Sequence, residues 1–573
     1  VVAIPDATWS PEVFCGADPT HPEACPLARS LVEQGLLVVI PTLLSRDDTH
    51  AGNPDVALTN QSHREWVYRQ AFEVGRHIIG YEVQKVLAAV DALEAFNKDL
   101  QQNLPIGVAG VGDGGLLALH AAALDSRIDA TWVAGYFQPR EGVWEEPIDR
   151  NVWRLLGEFG DAEIAAMIAP RPLVIEAAKV PEVVTPLPVK QGRRGGAAPG
   201  KIQTAAIDAV RNEYVRLSPI YAGLKAEENV TLVDQTPNGD AGSKPALAAF
   251  LKGLGVKQED VGESEPVKLD ASVDHDARQL RQMNELVAHT QRILHLSFKT
   301  RDKLWAGADR TSVEKWTASA GKYRDLVWDE LIGRLPQKPV TPSPRTRKIL
   351  ETPDYHGYEV VLDVFPDVIA AGILLLPADL KAGEKRTVVV CQHGLEGVPM
   401  DTISGPGSAG YPYYKGFAAE LAKRGFITYA PQNPYRGKDR FRTLQRKSNP
   451  LGRSLFSYIL PQHQVTLDWL KTLPNVDPQR LAFYGLSYGG KTAVRVPPLL
   501  TDYCLSICSA DYNEWIYKNA TIDLPMSYLF TNEYEIFEWN MGHVANYAEL
   551  SYLMTPRPFM VERGHDDGVS VDE

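Results

Sequence analysis

A serine between two glycines, in Gly485-Leu-Ser487-Tyr-Gly489, has the spacing of a nucleophile held on a sharp turn. The apolar run LAFY at residues 481–484 predicts a strand before this turn, and residues 491–496 predict a helix after it. A strand, a turn and a helix in this order would lift the serine hydroxyl out of a sheet, where it can attack an electrophilic carbon. A side chain at either glycine would collide with the neighbouring strand or helix, which explains both glycines.

Two backbone N–H groups are candidates to stabilise the negative charge that this attack creates. Tyr488 follows the serine, and its N–H can point at the developing oxyanion. A second strand, TVVVC at residues 387–391, leads into His393-Gly394-Leu395, and a His-Gly pair at this place usually provides the other donor. We assign that donor to Leu395, with Gly394 as its neighbour. We expect His393 to hold the loop rather than to act as a base.

The catalytic acid should follow a later strand, for which PFMV at residues 558–561 is the candidate. The turn after this strand reads RGHDDG, and the spacing Gly-x-x-Asp selects Asp567. Asp566 is the near alternative, and Glu562 is a third candidate. Because Glu562 recurs as Glu176 in the other half of the chain, we expect it to have a structural role.

The base should be a histidine that comes after the acid, because the order of the three groups in this arrangement is Ser, acid, His. Between Asp567 and Glu573 there is no histidine, and His565 precedes the acid. Either the sequence as given stops before the last strand, with the base beyond it, as we expect, or the mechanism departs from this arrangement of three groups. Since a serine without a base is a poor nucleophile near neutral pH, this chain alone is expected to be weak or inactive.

Other residues near the turn are candidates for binding a substrate. Lys491 lies one helical turn after the serine, where it either reaches a substrate hydroxyl or carboxylate or is an ordinary solvated lysine. Trp469, Trp515 and Trp539 either stack on sugar rings or belong to the core.

The chain repeats itself in outline. Residues 27–41 resemble residues 417–431, each reading as a short helix, a glycine, an apolar strand and a proline. Residues 170–176 (PRPLVIE) resemble residues 556–562 (PRPFMVE), and GVGDGG at residues 110–115 falls at the position of the serine turn. Three similar segments in the same order indicate two related halves.

The first half lacks the chemistry of the second. Gly112 stands at the position of the nucleophile, and Asp6-Ala7 replaces the His-Gly pair. Residues 230–233 predict a last strand, and no histidine follows it in residues 235–243. Asp113 as a shifted carboxylate nucleophile is an alternative, but the turn would orient its side chain wrongly. We interpret this half as a non-catalytic domain.

Apolar strands alternate with amphipathic helices in both halves, which predicts an α/β class with mostly parallel sheets and helices on both faces. We expect a first α/β domain at residues 1–257, a helical connector at 258–344 and a second α/β domain at 345–573. The connector is expected to contain one helix with Leu280, Met283, Val287 and Leu294 on one face, and a second helix that starts at Thr311 with Glu314 in a capping box. Residues 186–201 predict a mobile surface loop.

The composition limits the class of partner. The 573 residues are 44% apolar and carry a net charge of −13, which argues against nucleic acid and anionic membranes as partners. No apolar run reaches the length of a membrane span, and we expect no cofactor or metal. Cys391, Cys504 and Cys508 are expected to be buried. We expect the protein to be exported, and under that condition Cys15 and Cys25 can form a disulfide. The sequence does not decide whether the chain forms a homo-oligomer.

The residues VDPQRLAFYGLSYGGK (476–491) and RPFMVERGHDDGV (557–569) resemble the α/β-hydrolase superfamily, and within it dienelactone-hydrolase-like and acetyl-xylan-esterase-like enzymes. The spacing of Ser487 and Lys491 also resembles glucuronoyl esterases, which have an arginine where this chain has Tyr488. These resemblances imply a serine esterase that acts on an acylated carbohydrate or a related small ester. Ser-Tyr-Gly-Gly is also similar to prolyl-oligopeptidase-type peptidases, so a serine peptidase is an alternative, and a non-catalytic scaffold is another.

Overall fold

A computed structural model describes residues 1–17, 25, 27–234, 239–258 and 274–564. The chain divides into two compact units. The first unit consists of Val1–Phe72, Arg76–Arg292 and Tyr528–Tyr534, and the second of Glu73–Gly75, Ile293–Ser527 and Glu535–Glu573. The domain boundaries at residues 257 and 344 stay predictions. No described helix is long and apolar enough to cross a membrane.

The first unit contains a parallel sheet of five described strands in the order β1-β2-β3-β4-β5. These strands are β1 (Val2–Ile4), β2 (Gly107–Val111), β3 (Ala130–Ala134), β4 (Leu173–Glu176) and β5 (Val230–Val233). The last of them confirms the strand predicted at residues 230–233. Two further pairs of short strands join Leu58–Thr59 to Arg193–Arg194 and Val183–Thr185 to Gly200–Ile202.

Helices cover both faces of this sheet, because its side chains alternate between two separate apolar cores. Val2 and Ile4 belong to one core and Ala3 to the other. The helices of the unit are α1 (Pro11–Phe14), α2 (Leu27–Glu33), α3 (His63–Glu73), α4 (Ile78–Asp99), α5 (Asp113–Leu124), α6 (Leu155–Glu158), α7 (Asp161–Ala166), α8 (Ile207–Gly223) and α9 (Lys244–Gly253).

The second unit contains a sheet of eight described strands in the order β6-β7-β8-β10-β9-β11-β12-β13. From β10 to β13 the neighbouring strands are parallel, whereas the pairs β6–β7, β7–β8 and β8–β10 are antiparallel. The strands are β6 (Arg345–Glu351), β7 (Tyr355–Phe365), β8 (Val368–Pro377), β9 (Arg386–Gln392), β10 (Ile427–Pro431), β11 (Val476–Leu486), β12 (Tyr503–Ser509) and β13 (Phe559–Glu562). The two sheets confirm the α/β class.

The first two of the remaining helices lie in the segment that the sequence predicts as a helical connector. Helix α10 (His275–Trp305) crosses the division at residue 292, and α11 (Val313–Leu326) lies in the second unit, where Trp316, Val327 and Leu331 are buried. The others are α12 (Tyr411–Tyr414), α13 (Phe417–Lys423), α14 (Phe441–Ser448), α15 (Phe456–Thr472), α16 (Tyr488–Leu499), α17 (Trp515–Ala520), α18 (Met541–Val544) and α19 (Tyr547–Tyr552). The long first helix predicted for the connector is confirmed.

The repeated segments have related structures with one difference. Helices α2 and α13 each have seven residues and are followed by glycines in the left-handed region, Gly35 at φ 76° and Gly425 at φ 88°. After Gly425 the chain forms β10, but the strand predicted after Gly35 is wrong. There the backbone makes a single parallel bridge between Val39 and Val2 at the edge of the sheet.

The arginines of the two Pro-Arg-Pro segments, at residues 170–172 and 556–558, make equivalent contacts. The Arg171 guanidinium donates to the carbonyls of Ala122 and Ile128, at and beyond the end of α5. The Arg557 guanidinium donates in the same way to the carbonyls of Pro497 and Leu500, at the end of α16. Each arginine thus satisfies carbonyls that the end of a helix leaves unpaired, and these contacts support the internal repeat.

Two other expectations are corrected. The cap of α11 is Ser312, whose Oγ accepts from the N–H of Lys315, rather than Thr311 with Glu314. The predicted mobile loop at residues 186–201 contains two short strands, and the N–H of its buried Ala198 donates to the Glu65 carboxylate.

The cysteines do not form the suggested bridge. Cys15 and Cys25 are free thiols, and the Cys25 thiol donates to the carbonyl of Ala241 at 3.1 Å. Cys391 and Cys508 are buried as expected, whereas Cys504 is half-buried.

Candidate active site

The serine turn of the second unit is a strained strand-to-helix connection. Strand β11 ends one residue before Ser487, which has φ 59° and ψ −118°, and α16 begins one residue after it. A Cβ on Gly485 would lie 2.1 Å from the Gly489 carbonyl oxygen, and a Cβ on Gly489 would lie 2.4 Å from the Gln392 carbonyl oxygen. Both glycines are therefore required for the close approach of helix and strand, as the sequence indicated.

Two free backbone donors flank this serine. Ser487 is exposed, and within residues 274–564 its hydroxyl has no hydrogen-bond partner. In the same part of the chain the N–H groups of Tyr488 and Leu395 also have no acceptor, although the Tyr488 side chain is buried. A Cβ on Gly394 would lie 3.5 Å from the Ser487 Cβ, so the loop after β9 borders the nucleophile. This geometry suits an oxyanion site.

A small cavity lies next to the turn. Its volume of about 20 Å³ is sufficient for one water molecule, and it is lined by Leu395 and Tyr488 together with Lys491, Gln445, Glu535 and Glu538. The two predicted oxyanion residues and the predicted substrate-binding lysine thus line one cavity, to which Leu455, Phe456 and Ile536 also contribute.

Lys491 is neither a solvated lysine nor an exposed side chain at a rim. It is 4% exposed, its Nζ lies 3.4 Å from Glu538 Oε2, and it donates to the Ile536 carbonyl at 3.3 Å. Its ammonium group also lies 4.8 Å from the centroid of the Trp515 ring, which is 1% exposed. The surface alternative is therefore wrong, and substrate binding by Lys491 stays a prediction.

Sequence reasoning missed the carboxylate that organises this region. Glu538 accepts from the Arg495 guanidinium through both oxygens and from the Trp515 indole N–H at 3.2 Å. Burial raises the pKa of Glu538, but Arg495 and Lys491 outweigh burial and hold it below its usual range. Burial likewise lowers the pKa of Lys491, although Glu538 opposes this.

A second buried carboxylate near the turn was also missed. Asp511 follows β12 by two residues, and a Cβ on Gly490 would lie 2.8 Å from the Asp511 Cβ. It accepts from the Tyr547 hydroxyl at 2.6 Å, and burial raises its pKa to about 6. Its place after the carboxyl end of a parallel strand, where functional groups gather, is a signal that the sequence contained.

Of the three predicted acids, Glu562 alone lies within the described residues. Asp567, Asp566 and the neighbouring His565 lie outside the described residues. Glu562 is described: it is exposed and accepts from the Tyr484 hydroxyl at 2.7 Å. Its counterpart Glu176 is buried and accepts from the Trp132 indole N–H at 3.0 Å, so the counterpart has a structural role.

The histidine of the oxyanion loop is buried. His393 is fully inaccessible, and its Nδ1 lies 2.7 Å from the Gly394 carbonyl oxygen, to which it donates. Burial lowers its pKa to about 4, so the ring is neutral near pH 7. These contacts agree with the expected structural role in holding the loop. Within residues 274–564, no histidine ring is hydrogen-bonded to Ser487.

The first unit contains a turn of the same type, but one of its own carboxyl groups occupies the position of the oxyanion site. Gly112 has φ 57° and ψ −115°, nearly the angles of Ser487, and a Cβ on Gly110 would lie 2.0 Å from the Gly114 carbonyl oxygen. The N–H of Asp113, the counterpart of the Tyr488 N–H, donates to Asp6 Oδ2 at 3.0 Å. A side-chain carboxyl therefore occupies the place where an oxyanion would bind.

The alternative nucleophile of the first unit, Asp113, is fully engaged. Arg46 contacts both of its oxygens, with the closest distance 2.9 Å, and Arg150 donates to its Oδ1 at 2.7 Å. Burial alone would raise its pKa, but Arg150 and Arg46 together hold it well below its usual range. A buried carboxylate clamped by two guanidinium groups is not free to attack a substrate.

Restoring serine to the first unit is expected to give no enzyme. A Cβ at Gly112 would lie 2.2 Å from Asp6 Oδ2, so Gly112→Ser forces a shift in a packed interior and destabilises the first unit by about 1–3 kcal/mol. The change is made in a Ser487→Ala background and tested for hydrolysis of 4-nitrophenyl acetate. Hydrolysis above the Ser487→Ala level would contradict this expectation.

The second unit has the α/β-hydrolase type of fold, because in its mostly parallel sheet a glycine-flanked serine turn lies directly after the inner strand β11, between β9 and β12. Within the described ranges, no group of three or more His, Cys, Asp or Glu side chains is arranged to hold a metal ion.

No family model and no curated protein sequence matches the chain. Among solved structures, a Bacteroides fragilis protein assigned as an acetyl xylan esterase is 18% identical, with a TM-score of 0.36, and covers 45% of this chain and 71% of its own. A glucuronoyl esterase from Solibacter usitatus is 13% identical, with a TM-score of 0.34 and coverages of 45% and 77%. A glucuronoyl esterase from Teredinibacter turnerae is 16% identical, with a TM-score of 0.33 and coverages of 47% and 71%. These likenesses concern the fold alone.

Proposed function

We propose that the second unit is a serine carboxylester hydrolase that works through an acyl-enzyme. The observation that carries the proposal is the exposed Ser487 hydroxyl on its strained turn, flanked by the N–H groups of Tyr488 and Leu395, which have no acceptor among the described residues. Strain of this kind persists where the surrounding structure enforces it, and it is concentrated at functional sites.

In the proposed reaction, Ser487 Oγ attacks the acyl carbon and its proton passes to a base. The electrons of the carbonyl π bond move to the acyl oxygen, which accepts from Tyr488 and Leu395. The alcohol then leaves with a proton, and water hydrolyses the acyl-enzyme. We propose Asp567 as the acid that orients the base, and a histidine outside the described residues as that base.

The proposed substrate is an acylated carbohydrate or a related small ester. Lys491, Gln445 and two glutamates line the water-sized cavity beside the turn, so hydrogen-bonding groups lie close to the serine, as a substrate with hydroxyl groups requires. The sequence resemblance of the Ser487–Lys491 spacing to glucuronoyl esterases points in the same direction.

The full natural protein is tested with a panel of matched ester and amide substrates and with a fluorophosphonate probe. We expect turnover of 4-nitrophenyl acetate and acetylated xylo-oligosaccharides but not of the matched anilides, and covalent labelling of Ser487 located by peptide mass spectrometry. Ser319→Ala, on α11, is the control and should be labelled normally. Amide turnover would favour the peptidase, and an unlabelled Ser487 without ester turnover would favour a scaffold.

A further inference from the structure

The phenol of Tyr414 lies beside the nucleophile, on helix α12 of the second unit. The Gly394 N–H donates to Tyr414 Oη at 2.8 Å. A Cβ on Gly394 would lie 2.8 Å from this oxygen and 3.5 Å from the Ser487 Cβ, so the phenol and the serine border the same point. No sequence pattern predicts this contact, because Tyr414 comes twenty residues after Gly394, on a helix of only four residues.

The proton of this phenol is available to a ligand. Since the oxygen already accepts from the Gly394 N–H, that contact fixes the side of the hydroxyl from which its own proton can donate. Within the described part of the chain, no protein group accepts this proton. Burial raises the pKa of Tyr414, with partial opposition from the Gly394 N–H, so the phenol is protonated at neutral pH.

The same contact distinguishes the backbone donors of the loop. The Gly394 N–H is occupied by Tyr414, whereas the Leu395 N–H has no acceptor among the described residues. The Tyr488 side chain is buried and stacked on Phe456 with ring centroids 5.7 Å apart, so that residue offers its backbone N–H alone. The Tyr414 phenol is then a side-chain donor that borders the same point as the serine, next to Gly394.

We propose that Tyr414 is a catalytic residue, the third donor to the oxyanion, on the basis of the esterase function proposed for Ser487. When Ser487 Oγ bonds to the acyl carbon, the π electrons move to the acyl oxygen, and Tyr414 Oη–H donates a hydrogen bond to it without giving up its proton. A donor that gains strength as charge develops lowers the barrier to attack more than it strengthens substrate binding.

The test is Tyr414→Phe in the full natural protein, with Tyr413→Phe as the matched control, because Tyr413 is the adjacent tyrosine and is 73% exposed. Removal of one oxyanion donor from a serine hydrolase can lower kcat by about 10²–10³-fold. Because two backbone donors remain here, we expect kcat on 4-nitrophenyl acetate to fall by about 10- to 100-fold, with KM nearly constant. Affinity for phenylboronic acid, which forms a tetrahedral adduct on the serine, should fall by a similar factor. Affinity for the acetate product and the melting temperature should stay near wild type.

Two results would overturn the inference. One is a Tyr414→Phe enzyme with wild-type kcat and boronate affinity. The other is an equal loss of boronate and acetate affinity together with a lower melting temperature, which would mean that Tyr414 only supports the Gly394 turn. Failure of the esterase proposal is distinguishable, because the wild-type protein itself would then neither turn over the ester nor bind the boronate.

Discussion

Replacing Ser487 by alanine is expected to lower kcat/KM for ester hydrolysis by at least about 10³-fold, since loss of a serine nucleophile removes the covalent route. This corresponds to about 4 kcal/mol of transition-state stabilisation. The fold should be almost unaffected, because the Ser487 hydroxyl is exposed and has no hydrogen-bond partner within the described residues. Steady-state kinetics on 4-nitrophenyl acetate, with thermal melting on the same samples, measures both effects.

The control separates loss of the nucleophile from loss of any serine hydroxyl. Ser319 donates to the Trp316 carbonyl on helix α11 and makes no contact with the turn, so Ser319→Ala should keep its activity. Retained hydrolysis in Ser487→Ala would place the nucleophile elsewhere. A large fall in melting temperature would show instead that the serine supports the strained turn.

The serine turn could be predicted because its causes are local. The glycines of the turn are required by clashes with atoms within a few residues or on the adjacent strand, and the same pattern gave the turn at Gly112 in the first unit. Strand β5 was found for a similar reason, since a short apolar run bounded by polar residues contains its own pairing signal.

Contacts between distant segments could not be predicted in this way. A lysine one turn into a helix is usually solvated, and nothing near Lys491 indicates that Glu538, forty-seven residues later, faces it in the interior. The strand expected after Gly35 was lost because strand pairing depends on a partner rather than on the apolar run alone. Thr311 and Ser312 are both good caps, and the backbone decides between them.

The other large effect is expected at Glu538, the carboxylate between Arg495 and Lys491. Glu538→Ala should destabilise the second unit by about 3–5 kcal/mol, because removal of one partner leaves buried charge uncompensated. Arg495 is fully buried and Lys491 is 4% exposed, so water cannot replace the lost carboxylate without opening the interior. Since a domain has about 5–15 kcal/mol of stability in total, this variant should be close to unfolding at 37 °C.

The measurement is hydrogen exchange followed by mass spectrometry, which reports on peptides of α16 and β12 separately from the first unit. Glu359→Ala is the matched control, because Glu359 also pairs with an arginine, Arg347, but on an exposed strand surface. An exposed pair of this kind contributes about 0–1 kcal/mol. Equal effects of Glu538→Ala and Glu359→Ala would contradict the role assigned to the buried cluster.

A compensating variant tests whether the destabilisation comes from unpaired charge. Replacing Glu538, Arg495 and Lys491 together by methionine removes the three charges of these ion pairs, whereas the neighbouring buried carboxyls of Glu73 and Asp511, whose pKa values burial raises, remain. The triple variant should therefore recover part of the stability that Glu538→Ala loses. If the triple variant is instead no more stable than Glu538→Ala, the loss comes from packing and from the Trp515 indole, whose N–H would lose its acceptor in both proteins. Recovery of stability without recovery of ester turnover would then indicate that these charged groups serve the reaction as well as the fold.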